Sequence, residues 1–119
     1  MSAMDFIKKQ LEDKKTWRLQ MKRVKALPED YRIVYKEIQN YLFSFSAGSG
    51  MDTVHGIYDL IDFLEEGAAS DIPVLDYIGE DVGEFAENYR RSIQTQSWLD
   101  DAKKKASKNV EKSLKKDGK

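Results

Sequence analysis

Apolar residues recur three or four apart along most of the chain, the spacing that lines side chains along one face of a helix. The densest run lies between Pro28 and Phe45, where Tyr31, Val34, Tyr35, Ile38, Tyr41, Leu42 and Phe45 share a face. Pro28 suits the first helical position, because its missing N–H would have no partner there. Glu29 and Asp30 place negative charge where the helix dipole favours it. Five aromatics between Tyr31 and Phe45 make this the largest block of buriable surface. The pattern predicts that the other helices pack around it.

Before it, residues 4–25 read as helix, with Phe6, Ile7, Trp17, Met21 and Val24 near one side and Leu11 off that line. Asp13 leaves two options, one continuous helix or a second helix capped by Asp13 and starting near Lys14. Ser46-Ala47-Gly48-Ser49-Gly50 reads as a flexible loop. It is no phosphate loop, since the GxxxxGK[ST] lysine is missing and no strand precedes it.

Residues 52–66 form a third predicted helix with Val54, Ile57, Tyr58, Ile61 and Leu64 on its apolar face, stopped by Gly67. A fourth is expected to open with Ser70 as N-cap and Asp71 in the first turn. Its stripe is Val74, Leu75, Ile78, Val82, Phe85, Ala86, Tyr89 and Ile93. Gly79 and Gly83 interrupt that helix, either for close approach of a neighbour or as a kink near Gly79. A last helix starts at Ser97, with Asp100 completing a variant capping box. It carries only a narrow stripe of Leu99, Ala102, Ala106, Val110 and Leu114. The expected architecture is a single all-α domain over residues 1–119, a compact bundle of four or five helices, with 107–119 a frayed Lys-rich helix end.

Charge changes this picture more than composition does. Net charge is −1, yet residues 1–41 hold 10 Lys/Arg against 6 Asp/Glu, residues 52–89 hold 11 Asp/Glu and no Lys or Arg, and residues 97–119 hold 8 Lys against 4 acids. Basic ends around an acidic middle point to pairing within the chain or head-to-tail pairing between copies. The chain has no cysteine, which excludes disulfides, thiolate metal sites and a Cys nucleophile, and suits a cytoplasmic setting. No apolar run approaches the ~18 residues of a membrane span, and the first residues lack a signal-peptide core. A membrane role is therefore not expected.

One constellation resembles chemistry. His55, Asp59, Asp62 and Glu66 share the face of the third helix opposite its apolar stripe, and such a set can supply ligands to a divalent metal if a second helix adds more. The plainer reading is a solvated acidic face, so neither a metal nor a cofactor is assigned. With one histidine and no cysteine, most general-base and nucleophile schemes lack their parts. Lys14, Lys15, Arg18, Lys22, Arg23 and Lys25 read as a solvated face, separate from the lysine-rich end, which argues against nucleic-acid binding.

The run Trp17-Arg18, then Arg23-Val24-Lys25-Ala26-Leu27-Pro28-Glu29-Asp30-Tyr31-Arg32 and Val34-Tyr35-Lys36-Glu37-Ile38-Gln39, resembles a small bacterial family known as domain of unknown function 1048. The resemblance covers most of the chain. It implies a compact all-helical cytoplasmic protein, often encoded beside PadR-like transcriptional regulators, and it brings the label of ferritin-like DNA-binding proteins given to some members.

The expected function is a non-enzymatic interaction module, a monomer or homodimer that self-associates or binds a neighbouring regulator. A ferritin-like metal- or DNA-binding protein is the alternative. A small-ligand sensor built on the aromatic core is a third reading, with only the tyrosines behind it.

Overall fold

Proline geometry sets the start of the central helix, one residue away from the expected register. In the computed structural model, which describes residues 3–45 and 50–117, Pro28 is the N-cap with an extended backbone (φ −55°, ψ 155°). Helix α2 then runs Glu29–Ser44. The other helices are α1 (Ala3–Lys25), α3 (Gly50–Ala69), α4 (Val74–Ile78) and α5 (Val82–Asp117), and the described residues contain no strand. Helix α1 passes through Asp13 unbroken. Of the loop expected over 46–50, residues 46–49 lie outside the described residues, and Gly50 already belongs to α3.

The core joins α2 to α3. Tyr31, Val34, Tyr35, Ile38 and Leu42 of α2 meet Ile57, Leu60, Ile61 and Leu64 of α3, with Leu27, Val74 and Ala86 closing the edges. Leu60 belongs to this core although the sequence reading left it out. Phe45 does not: it is exposed, its ring 4.9 Å from that of Tyr41 and under the Arg90 guanidinium.

Tyrosines bring most of the polar order to the interior. Tyr31 donates to the Ile72 carbonyl at 2.6 Å, Tyr89 to the Gly56 carbonyl at 2.6 Å and Tyr77 to the Phe63 carbonyl at 2.8 Å. Each ring buries its body while its hydroxyl ties down a backbone group of another helix or turn. No buried side-chain nitrogen or oxygen among the described residues lacks a partner.

The helix boundaries after residue 66 differ from the sequence reading at Gly67, Ser70, Gly79 and Ser97. Helix α3 does not stop at Gly67. Gly67 is buried inside it, where a Cβ would come within 2.5 Å of the Tyr77 ring and 2.6 Å of the Tyr31 hydroxyl. The stop comes four residues later. Asp71 takes the left-handed conformation (φ 56°), with Asp71 N–H bonded to the Ala68 carbonyl and Ile72 N–H to the Gly67 carbonyl. That pair of bonds is a Schellman motif with Asp71 in the place glycine usually takes.

Ser70 therefore caps nothing ahead of it; its hydroxyl donates back to the Glu66 carbonyl. Asp30 of α2 serves the next helix instead, accepting from the N–H groups of both Tyr31 and Val74. The predicted fourth helix is then cut by Gly79 at φ 98°. Asp81 restarts the chain as the true cap of α5, accepting from Glu84 N–H at 2.9 Å.

Ser97, expected to begin a last helix, lies inside α5. That helix has 36 residues, a length of about 54 Å. The radius of gyration is 18.6 Å and the longest dimension 62 Å, against about 13.5 Å for a compact chain of this length. Part of the molecule stands clear of the bundle.

Candidate interaction surface

Helix α3 is the ruler against which the overhang is measured. On one side, the Trp17 ring of α1 lies 6.2 Å from that of Phe43 and 6.1 Å from that of Tyr58. Arg23 pins the other end of α1, donating to both Asp62 and Glu65 of α3. These two carboxylates raise the guanidinium pKa, Glu65 more than Asp62. On the other side of α3, Tyr89 binds the Gly56 carbonyl, Ile93 fits over Gly56, and the Ser97 hydroxyl donates to Asp52 at 2.7 Å.

Both flanking helices therefore run toward the N-terminal end of α3 and continue past it. Beyond Ser97, α5 has 20 residues left, an arm of about 30 Å. Helix α1 leaves a shorter arm on the same end, from Ala3 to about Glu12. Among the described residues, no Cα atom of α1 comes within 8 Å of one in α5.

The arms are amphipathic and bare. Met4, Ile7 and Leu11 on α1 are 65%, 50% and 62% exposed, and Leu99, Val110 and Leu114 on α5 are 51%, 58% and 66% exposed. At 100° per residue, the α5 arm stripe of Leu99, Ala102, Ala106, Val110 and Leu114 lies about a quarter turn from the face of Val82, Phe85, Ala86, Tyr89 and Ile93 that meets the body. Lys104, Lys105, Lys108, Lys112 and Lys115 occupy the side opposite the arm stripe. On the α1 arm, Met4, Ile7 and Leu11 together lie about a third of a turn from Trp17, Met21 and Val24. The body leaves both sets exposed.

At the foot of the arms lie two grooves separated by His55. Between α1 and α3, Trp17, Val54 and Tyr58 form the apolar floor of a groove of about 410 Å³ rimmed by Asp13, Lys14 and Arg18. Between α3 and α5, Asp52, Asp59 and Asp100 line a second of about 400 Å³.

The four residues singled out from the sequence do not converge. His55 and Asp59 border the α3–α5 groove, Asp62 is taken by Arg23, and Glu66 is exposed a turn beyond. His55 and Glu66 are about 16 Å apart along the helix, too far to share one ion. Among the described residues no group of three or more His, Asp or Glu side chains comes together as a metal site. Pairing of the lysine-rich end with the acidic middle of the same chain is not seen either: among the described residues the α5 lysines make no ion pair.

The acidic middle is instead used locally. Glu87 accepts from Arg90, Arg91 and Tyr41. The Arg90 bond, then that of Tyr41, holds its carboxyl at about 2, below the ordinary 4.5. Burial pushes the Tyr35 and Tyr89 hydroxyls above their ordinary 10.

The overhang itself was missed from the sequence. Its one available signal was the phase slip of the apolar stripe between Ile93 and Leu99.

No curated protein matches the chain, and no helix among the described residues is long and apolar enough to cross a membrane. A crystal structure of a DUF1048 protein from Bacillus cereus ATCC 10987, described as having a left-handed superhelix fold, is 54% identical, with a TM-score of 0.59 over 64% of this chain and 94% of that one. The family model described as "Protein of unknown function (DUF1048)" matches residues 8–111, a span that includes Leu11 on one arm and Leu99 to Val110 on the other. The chain belongs to the DUF1048 family.

Proposed function

We propose that this protein is a non-enzymatic interaction module, whose binding surface is the pair of amphipathic arms and the foot between them. One observation carries the reading: two apolar stripes, on separate helices, overhang the same end of the bundle and face away from its core. A helix keeps such a stripe exposed at a cost in water, and a contiguous exposed apolar surface with a polar rim marks a contact site. Charge segregation supports it, since a basic arm and an acidic foot favour particular partners over others. The absence of cysteine suits work in the cytoplasm.

The ferritin-like alternative would have to draw ligands from more than one helix into a shared space. Stoichiometric iron or zinc in the purified protein, lost in His55→Ala, would revive it.

The test uses full-length protein. Wild type and a Leu11→Asp/Val110→Asp variant are compared for capture of defined partners, including an untagged second copy. Binding lost in the variant, with an unchanged thermal melt, is the expected result. Equal binding by both, or turnover of a substrate by the purified protein, contradicts the reading.

A further inference from the structure

We propose that the groove between α1 and α3 binds a small aromatic carboxylate, its ring on the Trp17–Tyr58 floor and its head group held by Lys14 and Arg18. Such a ligand sits at the foot of the arms, and its binding is independent of what the arms themselves contact.

The floor selects the body of the ligand. Trp17 and Tyr58 are half-buried, their rings 6.1 Å apart, and Val54 extends the same apolar surface. A volume of about 410 Å³ falls within the roughly 300–1,000 Å³ of small-molecule sites, which pair such a floor with a few polar groups. Flat rings suit it, because aromatic faces and edges attract one another beyond the area they bury.

Available donors mark the groove off from the rest of the interior. Five of the six tyrosines give their hydroxyl hydrogen to a partner within the chain. Tyr58 has none among the described residues, and neither has the Trp17 indole N–H; both side chains line this groove. Burial, and then Asp13, raise the Tyr58 pKa above its ordinary 10, which keeps the phenol protonated and able to donate.

Charge selects the head group. Lys14 and Arg18 lie four apart, on one row of α1 beside Trp17. Among the described residues neither is in an ion pair. Against these two cations the rim sets one acid, Asp13, so a single negative charge neutralises it and a second would not be matched. An arginine fork with a lysine beside it suits a carboxylate. The groove across His55 has the opposite chemistry, with Asp52, Asp59 and Asp100 along it.

The test reads Trp17 directly. The chain has two tryptophans, and Trp98 is 66% exposed on the α5 arm, so full-length Trp98→Phe protein reports on the groove alone. Three probes share one body: 3-phenylpropionate, its amide, and 3-phenylpropylamine. The carboxylate should change Trp17 emission saturably, with a Kd below about 1 mM. The amide should bind about tenfold more weakly and the amine more weakly still. Lys14→Gln/Arg18→Gln should bring the carboxylate down to the level of the amide and leave the amide unchanged. Tyr58→Phe, which keeps the ring, should weaken the carboxylate about 2–10-fold. No saturable change overturns the proposal. Equal binding of all three probes, or full carboxylate affinity in Lys14→Gln/Arg18→Gln, does the same. Val110→Asp, on the arm stripe, should bind the carboxylate as the parent does, so a failure of the groove and a failure of the arms show in different experiments.

Discussion

Helix α5 contains two proteins' worth of environment in one unbroken rod. From Val82 to Ser97 it is held by the body: Ala86 is buried, Tyr89 is hydrogen-bonded to α3, and Ile93 lies over a glycine. From Trp98 to Asp117 it has the same backbone and a comparable apolar period, but every described side chain is exposed. The difference lies in phase. The stripe rotates by about a quarter turn near Ser97, so continuing the helix carries its apolar face away from the core. Periodicity tells where a helix can bury a face. What it is buried against depends on the neighbours, and α3 ends where the arm begins.

The largest expected effect comes from removing one apolar side chain from the body and one from the arm. Ile61→Ala, at a fully buried position, should cost about 2–5 kcal/mol in a denaturant titration of dilute protein. Val110→Ala under the same conditions should stay within about 0.5 kcal/mol, the range of surface changes. Similar losses at both sites would mean that the arm packs on its own body.

Glycines sharpen the point at the next level. Gly67→Ala drives a methyl into the Tyr77 ring and the Tyr31 hydroxyl, and its denaturation midpoint should fall by an amount equivalent to about 1–3 kcal/mol. Gly83→Ala, whose new methyl would meet nothing closer than 3.6 Å, should instead raise stability by up to about 1 kcal/mol. Asp81→Ala removes the α5 cap and should cost about 1 kcal/mol, read from the same titration.

The smallest effect is the acid dependence. The folded carboxyl of Glu87 sits at about 2 against an ordinary 4.5. Its contribution is present above pH 4.5 and is lost as pH falls from there toward about 2. Glu87→Gln should flatten the acid limb of the stability profile in that window, read from denaturant titrations across that pH range.

Much of this was legible in the chain. The α2 face, the break between α1 and α2, and the apolar face of α3 follow from local spacing alone. The boundaries that failed are those where one residue type serves two ends. Gly67 resembled a helix stop but is a packing site, because the rings that need the space come from Tyr31 and Tyr77, distant in sequence. The real stop at Asp71 carries no glycine to announce it. Ser97 resembled a cap, yet it lies mid-helix and donates across to Asp52. The true caps, Asp30 for α4 and Asp81 for α5, were overlooked. Asp81 did leave a signal, an Asp followed three residues later by Glu84; Asp30 acts across 44 residues and left none. The His55, Asp59, Asp62 and Glu66 set was visible as a face, but which of its members an arginine from α1 would occupy was not.

The central claim is that the body folds on its own core while the arms await a partner. Backbone amide exchange of the full-length protein, followed by mass spectrometry across a dilution series, tests it most directly. The account predicts strong, concentration-independent protection for residues 54–64 and 85–93, and weak protection for residues 3–12 and 100–115 at high dilution. Arms as well protected as the body at the highest dilution would contradict it.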